Sequence, residues 1–266
     1  RHHPPSRRKI HHEHPQEARR GVKAFDTDTG QRWLFCMTHP DDEISICAWI
    51  HRLVQAGVEV HMSWTHSHPV REQEARLSAE LLGIPQDRLS FFSATDGSVC
   101  DELQTWRPHF QELMDRVAPT RVACGAFEQG HLDHDSTNWL VNQTFSGPVF
   151  EIPFYHTYAV RLQAMNRFAD PAGQEVIHLT KEEQKLKLAV AKRYRSQNIW
   201  QVLWWYEVWQ MTRLRPAELR KREIMRLQTH RDFLTPNLPP ALAKKVEASD
   251  SWGRWRAAIN RLNVSR

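Results

Sequence analysis

The sequence predicts an α/β fold, a Rossmann-like three-layer sandwich with a mostly parallel sheet and a C-terminal helical extension. Two observations predict it. Short apolar runs of β character alternate with amphipathic helical stretches from residue 32 to about residue 154, and after about residue 180 only helical periodicity remains. At 266 residues the chain is long enough to bury a substantial core, and one large domain with an appendage suits it better than two independent domains.

The alternation opens with "RWLFCM" (32–37), followed by the helical pattern "EISICAWIHRLVQAG", which closes on Gly57. "VEVHMSW" reads as the second strand, and "REQEARLSAELLG" as an amphipathic helix closing on Gly83. "RLSFF" (88–92), a helix from about Asp101 to Val117, "RVACGAF" (121–127), a helix from about Ser136 and "GPVFEIPF" (147–154) continue the series. Helices between successive strands are what a parallel sheet covered on both faces requires. Beyond about residue 180, the stretch that runs through "WQVLWWYEVWQ" to "EIMRLQ" reads as two or three helices, broken near Pro216. The chain therefore divides into a basic, His-rich lead-in (1–30), a core (31–180) and a helical extension (181–266). The lead-in is rich in Arg, His and Pro and poor in core-forming residues, so a loosely ordered, solvated tail is expected there rather than a metal-capturing arm.

Four cysteines, Cys36, Cys47, Cys100 and Cys124, show no CxxC spacing and sit in apolar runs, as small buried hydrophobes of a reducing compartment do. A cytoplasmic address follows, with the inner face of the membrane as a variant. No run of about 18 apolar residues spans a bilayer, and the start lacks the pattern of a signal peptide. Because the chain begins at Arg rather than Met, a removed leader stays open.

Chemistry gathers in two loops. "MTHPDDE" (37–43) follows the first strand, and "EQGHLDHD" (128–135) follows the fourth. Ligands of open parallel sheets collect outside the carboxyl ends of strands, so the two loops should face one crevice. Across the turn made by Pro40, His39 and Asp42 can turn towards a common point, which His134 approaches from the other loop. Two imidazoles and a carboxylate with positions left open make a catalytic metal site, for zinc or ferrous iron, rather than a closed structural one. Asp41 then stands where it can take a proton from water. His131 is placed to bond a developing oxyanion or protonate a leaving amine, and Asp133 to orient one of the imidazoles. Glu43, at the start of a helix, is favoured there by the helix dipole whether or not it serves the site.

In that order and about 90 residues apart, "HPDDE" (39–43) and "GHLDH" (130–134) resemble the PIG-L/LmbE-like family of metal-dependent N-deacetylases. "REQEARLSAELLGI" (71–84) is similar to the family's Arg-containing helix, "TDGSV" (95–99) to its Asp-Gly turn, and "EIPFYH" and "RYRSQ" to a subgroup tied to surface glycans. The resemblance spans roughly residues 30–200. It implies His39, Asp42 and His134 as metal ligands, Asp41 as general base, His131 as oxyanion and leaving-group partner, and Arg71 and Asp96 as substrate contacts. It also implies zinc, or another divalent metal such as ferrous iron, and hydrolysis of the acetamide of an N-acetylated amino sugar of N-acetylglucosamine type, free or nucleotide-, lipid- or glycan-linked. Leu132 departs from the family's usual Pro, which touches loop stiffness rather than chemistry.

Other classes fare worse. An amidase for a different acyl group or a non-sugar amide is the nearest alternative, and a non-catalytic relative is disfavoured by the intact residue set. A phosphate-binding module lacks the glycine-rich loop at the first strand–helix junction. A pI near 9.2 suits a nucleic-acid binder, yet no recognisable nucleic-acid motif accompanies it. "IWQVLWWYEVWQ" (199–210) fits a packed core or a homo-oligomer interface better than peripheral membrane contact, which stays as the second reading.

Overall fold

The computed structural model describes residues 22–160, 164–216 and 218–264. Strand β1 (Arg32–Met37) owes its central place to composition, since Trp33 to Met37 are without solvent contact. Its pleat sends Trp33, Phe35 and Met37 to one face and Leu34 and Cys36 to the other. A short 3-10 turn (Asp42–Ser45) and α1 (Cys47–Gln55) lead to β2 (Glu59–Trp64) and α2 (Pro69–Leu82), which ends where Gly83 adopts φ +82°. Then follow β3 (Leu89–Phe91), α3 (Leu103–Val117), β4 (Arg121–Gly125), α4 (Leu132–Thr144) and β5 (Val149–Ile152). These five strands pair in parallel in the order β3-β2-β1-β4-β5. Reversal of direction about β1 opens a crevice at the carboxyl ends of β1 and β4.

A two-stranded ribbon, β6 (Tyr155–His156) and β7 (Ala164–Met165), precedes β8 (Gln174–His178), α5 (Lys181–Ala191), α6 (Ile199–Thr212), β9 (Arg222–Leu227), α7 (Pro240–Glu247) and α8 (Asp250–Val264). The large sheet continues as β5-β9-β8, both new pairings being antiparallel. Ile46, Trp49, Ala75, Leu82, Val190 and Tyr194 cover the Trp33 face, and Phe110, Leu140, Trp255 and Ile259 the Leu34 face. The sandwich therefore has the three expected layers.

Two expectations are corrected. The stretch around Glu223–Met225, read as helical, is strand β9, and β8 lies in a region assigned no element. Charge hid β9. Glu223 is fully buried, accepting Nζ of Lys187 at 2.9 Å and the N–H groups of Ala48 (3.0 Å) and Trp49 (2.8 Å) at the start of α1. The expected loose order of the lead-in is a matter for residues 1–21, outside the described residues. Packing begins ahead of residue 31: Ala24 is buried and Phe25 sets its ring edge on Trp49, 5.1 Å between centroids. All four cysteines are buried and unpaired, and burial raises the Cys36 thiol to about 12.

Candidate metal centre and catalytic site

Both predicted loops meet over the crevice. Beyond β1 the chain turns so tightly that Asp41 takes a left-handed backbone, φ 118°, a conformation a non-glycine residue holds only when its surroundings impose it. Arg71 of α2 imposes it from one side, donating to the Pro40 carbonyl at 2.7 Å and to Asp41 Oδ2 at 3.1 Å. From the other side Glu43 Oε2 accepts the Asp41 N–H at 3.2 Å. Glu43 is itself fully buried, bonded to the hydroxyls of Ser78 (2.8 Å) and Tyr194. Its part is to anchor the loop.

The second loop is fixed by α4. His131 caps that helix, its Nδ1 accepting the Asp133 N–H at 3.2 Å. Thr137 joins α4 to β1 and β2 through the hydroxyls of Thr38 and Thr65, each at 2.9 Å. Gly130 admits no side chain, because a Cβ there would stand 1.8 Å from the Tyr155 carbonyl oxygen.

His39 Nδ1 lies 3.3 Å from His134 Nε2, which in turn lies 3.3 Å from Asp42 Oδ1. The three side chains are buried and offer one ligand atom each, all within 4.8 Å of one another. The other polar atoms of Asp42 and His39 are committed elsewhere. Asp42 Oδ2 accepts the N–H groups of Thr38 (3.0 Å) and His39 (2.8 Å). His39 Nε2 faces Asp96 Oδ1 at 3.2 Å and Asp133 Oδ2 at 3.5 Å. Two ring nitrogens and a carboxylate oxygen turned on one point can hold a cation, and Asp96 and Asp133 stand behind His39 where partners that orient a metal-bound imidazole would stand. A second grouping, His39, His131 and Asp133, also falls within ligand distance. It suits a metal less well, because His131 Nδ1 is the helix cap and the Asp133 oxygens hold the N–H groups of Gly97 (2.6 Å) and Val99 (3.1 Å).

Electrostatics sorts the acids and bases. Burial and then the neighbouring Asp42 push Asp41 up to about 8, against the pull of Arg71. Asp42 goes the other way. Burial raises it, but His134, His39 and its backbone bonds hold it well below the usual carboxylate range. Burial lowers His39, and the bonds from Asp133 and Asp96 more than reverse this, to about 10. Burial and the neighbouring His134 drive His131 down to about 4, so it stays neutral. With Nδ1 accepting, the His131 proton sits on Nε2 as a donor.

All eight predicted residues are thus brought to one place, with some tasks redistributed. Asp133 is fully buried behind His39. Arg71 spends its observed bonds on the loop, and Asp96 orients His39 while its side chain stays half exposed. Reasoning from sequence missed His66, whose Nδ1 pairs with the Ala94 carbonyl at 2.8 Å and whose Nε2 faces Asp96 Oδ2 at 3.9 Å. Its position just past the carboxyl end of β2 was the available signal. It also missed Tyr194 and Thr137, which reach the site through Glu43 and Thr38.

Residues 34–145 match the family model PIG-L, described as GlcNAc-PI de-N-acetylase. No curated protein matches the chain. Among solved structures, an inhibitor complex of the N,N'-diacetylchitobiose deacetylase from Pyrococcus horikoshii is similar at TM-score 0.54 and 18% identity, covering 77% of this chain and 87% of that one. A deacetylase–teicoplanin complex from the teicoplanin biosynthesis pathway gives 0.55 at 16% identity, covering 74% and 97%. The zinc-inhibited form of a teicoplanin deacetylase gives 0.54 at 16%, covering 76% and 99%. At such identities the likeness to these structures is one of fold. Residues 34–145, the stretch that matches the PIG-L family model, carry both loops of the site.

Proposed function

We propose that the protein hydrolyses the acetamide of an N-acetylated amino sugar of N-acetylglucosamine type, releasing acetate and the free amine, with a divalent cation held by His39, Asp42 and His134. The observation that carries this reading is the convergence of His39 Nδ1, Asp42 Oδ1 and His134 Nε2 beside the raised carboxyl of Asp41. A cation bound there would polarise the amide carbonyl and acidify water, and would draw the Asp41 pKa down from its metal-free value.

Asp41 takes one proton from the attacking water as its oxygen bonds to the carbonyl carbon. The Nε2–H of His131 donates to the oxygen on which negative charge develops. Asp41 then returns its proton to the nitrogen as the C–N bond breaks, so that acetate and amine leave and the site is restored. Arg71 keeps Asp41 aimed, and Asp133 keeps His39 turned inward. The half-exposed carboxylate of Asp96 is left to accept a sugar hydroxyl.

The test is acetate release from free, nucleotide-linked and lipid-linked N-acetylhexosamines by metal-stripped protein, with zinc or ferrous iron titrated in. The existence of a zinc-inhibited form of one similar deacetylase is reason to titrate rather than saturate. Release that tracks metal occupancy is expected. If metal binds and no member of the panel releases acetate, the acetyl-sugar reading fails and a different acyl group or a non-sugar amide replaces it.

A further inference from the structure

Helix α6 packs Ile199, Trp200 and Leu203 on the core and carries large apolar side chains on its outer faces as well. Leu203, Glu207 and Gln210, at helical spacing, face the body of the protein, with Glu207 and Gln210 both buried. Glu207 Oε1 and Gln210 Oε1 have no hydrogen-bond partner among the described residues. Outward point Val202, Trp204 and Trp205, and the tryptophans are 52% and 63% exposed. Met211 and Leu214 extend this apolar surface past the end of the helix, Leu214 being 98% exposed. Tryptophan at helical spacing usually packs inward, so its placement outside calls for something to cover it.

Charge says what. Arg213, Arg215, Arg220 and Lys221 follow directly and are exposed, and the Arg213 guanidinium lies 4.9 Å from the Trp209 ring centre. A second copy of this chain would bring the same cluster against itself, in a molecule already carrying a net charge of +5. An anionic bilayer answers both features, with headgroups for the arginines and an interface for indole rings.

The helix also adjoins the site. It forms one wall of a groove of about 190 Å³ lined by Ile44, Trp200, Leu203 and Trp204, with Lys192 and Arg220 at its rim. Ile44 directly follows the loop anchor Glu43. In the adjoining void Ile44 and Leu203 meet Phe154, whose ring lies 5.0 Å from that of His134.

We infer that α6 and the basic segment after it dock the protein on an anionic membrane surface, presenting the site to a membrane-borne substrate. No helix among the described residues is long and apolar enough to cross a membrane, so the contact is interfacial. The test is co-sedimentation of the full chain with phosphatidylcholine vesicles, plain or with about a third phosphatidylglycerol, for the wild type and Trp204→Ser/Trp205→Ser. The wild type should bind the anionic vesicles, and less so as salt rises. The variant, with an unchanged unfolding temperature, should lose about tenfold in partition. Quenching of tryptophan fluorescence by brominated lipid should fall in parallel. Equal partition of variant and wild type, which would mark binding through the basic residues 1–23, overturns the inference. So does absence of vesicle binding, or a dimer that the double substitution dissolves.

Discussion

Buried ionic clusters that stand only a few strands apart behave in two opposite ways. At the β5–β9 pairing, Glu151 accepts Arg226 Nε at 2.7 Å, His230 Nε2 at 2.9 Å and the Phe127 N–H at 3.0 Å. Burial raises its pKa, and His230 and Arg226 together bring it down to about 2. Glu223 is likewise closed by Lys187 and the start of α1. At the β1–β4 crevice Asp42 has no Lys or Arg partner among the described residues, and its free oxygen faces His134 in company with the ring of His39. Burial of charge is common to all three. What separates a site from a strut is whether the donor set is closed, since an open set keeps room for a cation and a reacting group.

The sharpest way to break this contrast is to alter one atom of the open set. Asp41→Asn keeps size and the Arg71 contact to Pro40 but removes the base, so acetate release should fall by about 10²–10⁴-fold. Metal content and unfolding temperature should stay near wild type. Wild-type activity in this variant would remove Asp41 from the mechanism.

In the closed set the effect should move from activity to stability. Glu223→Ala leaves the Lys187 ammonium, 5% exposed, with the Ser45 carbonyl but no counter-charge, and uncaps α1. The loss should be about 3–5 kcal/mol of unfolding free energy in denaturant. A cost under about 1 kcal/mol would show that the pair is dispensable and that the contrast is overdrawn.

Why one cluster could be read from sequence and the other could not follows from the same difference. His39, Asp42 and His134 lie in two short loops whose positions are set by the strands before them, so motif and topology together located them. Glu43, read as a charge at a helix start whose part in the site stayed open, needed partners on α2 and Tyr194, residues far off in sequence, to acquire a role. β9 was invisible for a related reason: Glu223 and Arg226 are the residues that mark a solvated helix, and only their distant partners permit their burial in a strand. The parallel strands were plain because both faces are covered, which makes "RWLFCM" and "RVACG" continuous apolar runs. The outward face of α6 lay beyond reach, since a helix apolar all round carries no sign of which side meets the protein.

The open set also predicts a pH dependence. At neutral pH the metal-free protein keeps a proton on His39, raised to about 10, and one on Asp41, raised to about 8. Both shifts favour the protonated folded form. Their stabilisation is complete below the unfolded values, near 6.5 and 3.8, and is lost as pH rises through about 10 and about 8. A cation displaces the proton on His39, so the gain in unfolding free energy on adding zinc or ferrous iron should grow from pH 6 to pH 8, by up to about 1.4 kcal/mol per pH unit for each proton released. A gain that does not change with pH would place the metal elsewhere than at His39.

The smallest effect concerns the loop that supplies His134. Leu132 is the first residue of α4, the position where proline is most at home, because its missing N–H has no partner within the helix. The preceding His131 has φ −151° and ψ 138°, in the extended region that a following proline demands. Leu132→Pro should therefore leave the His131 cap and His134 where they are. The entropy removed from the unfolded chain favours the variant by about 0.4–1 kcal/mol, while the partly buried leucine gives up packing against the Leu34 face. The net change should lie within about 1 kcal/mol, with acetate release within about twofold of wild type. A tenfold loss of activity at unchanged stability would show instead that the turn must move during the reaction, and that leucine at this position is there to let it.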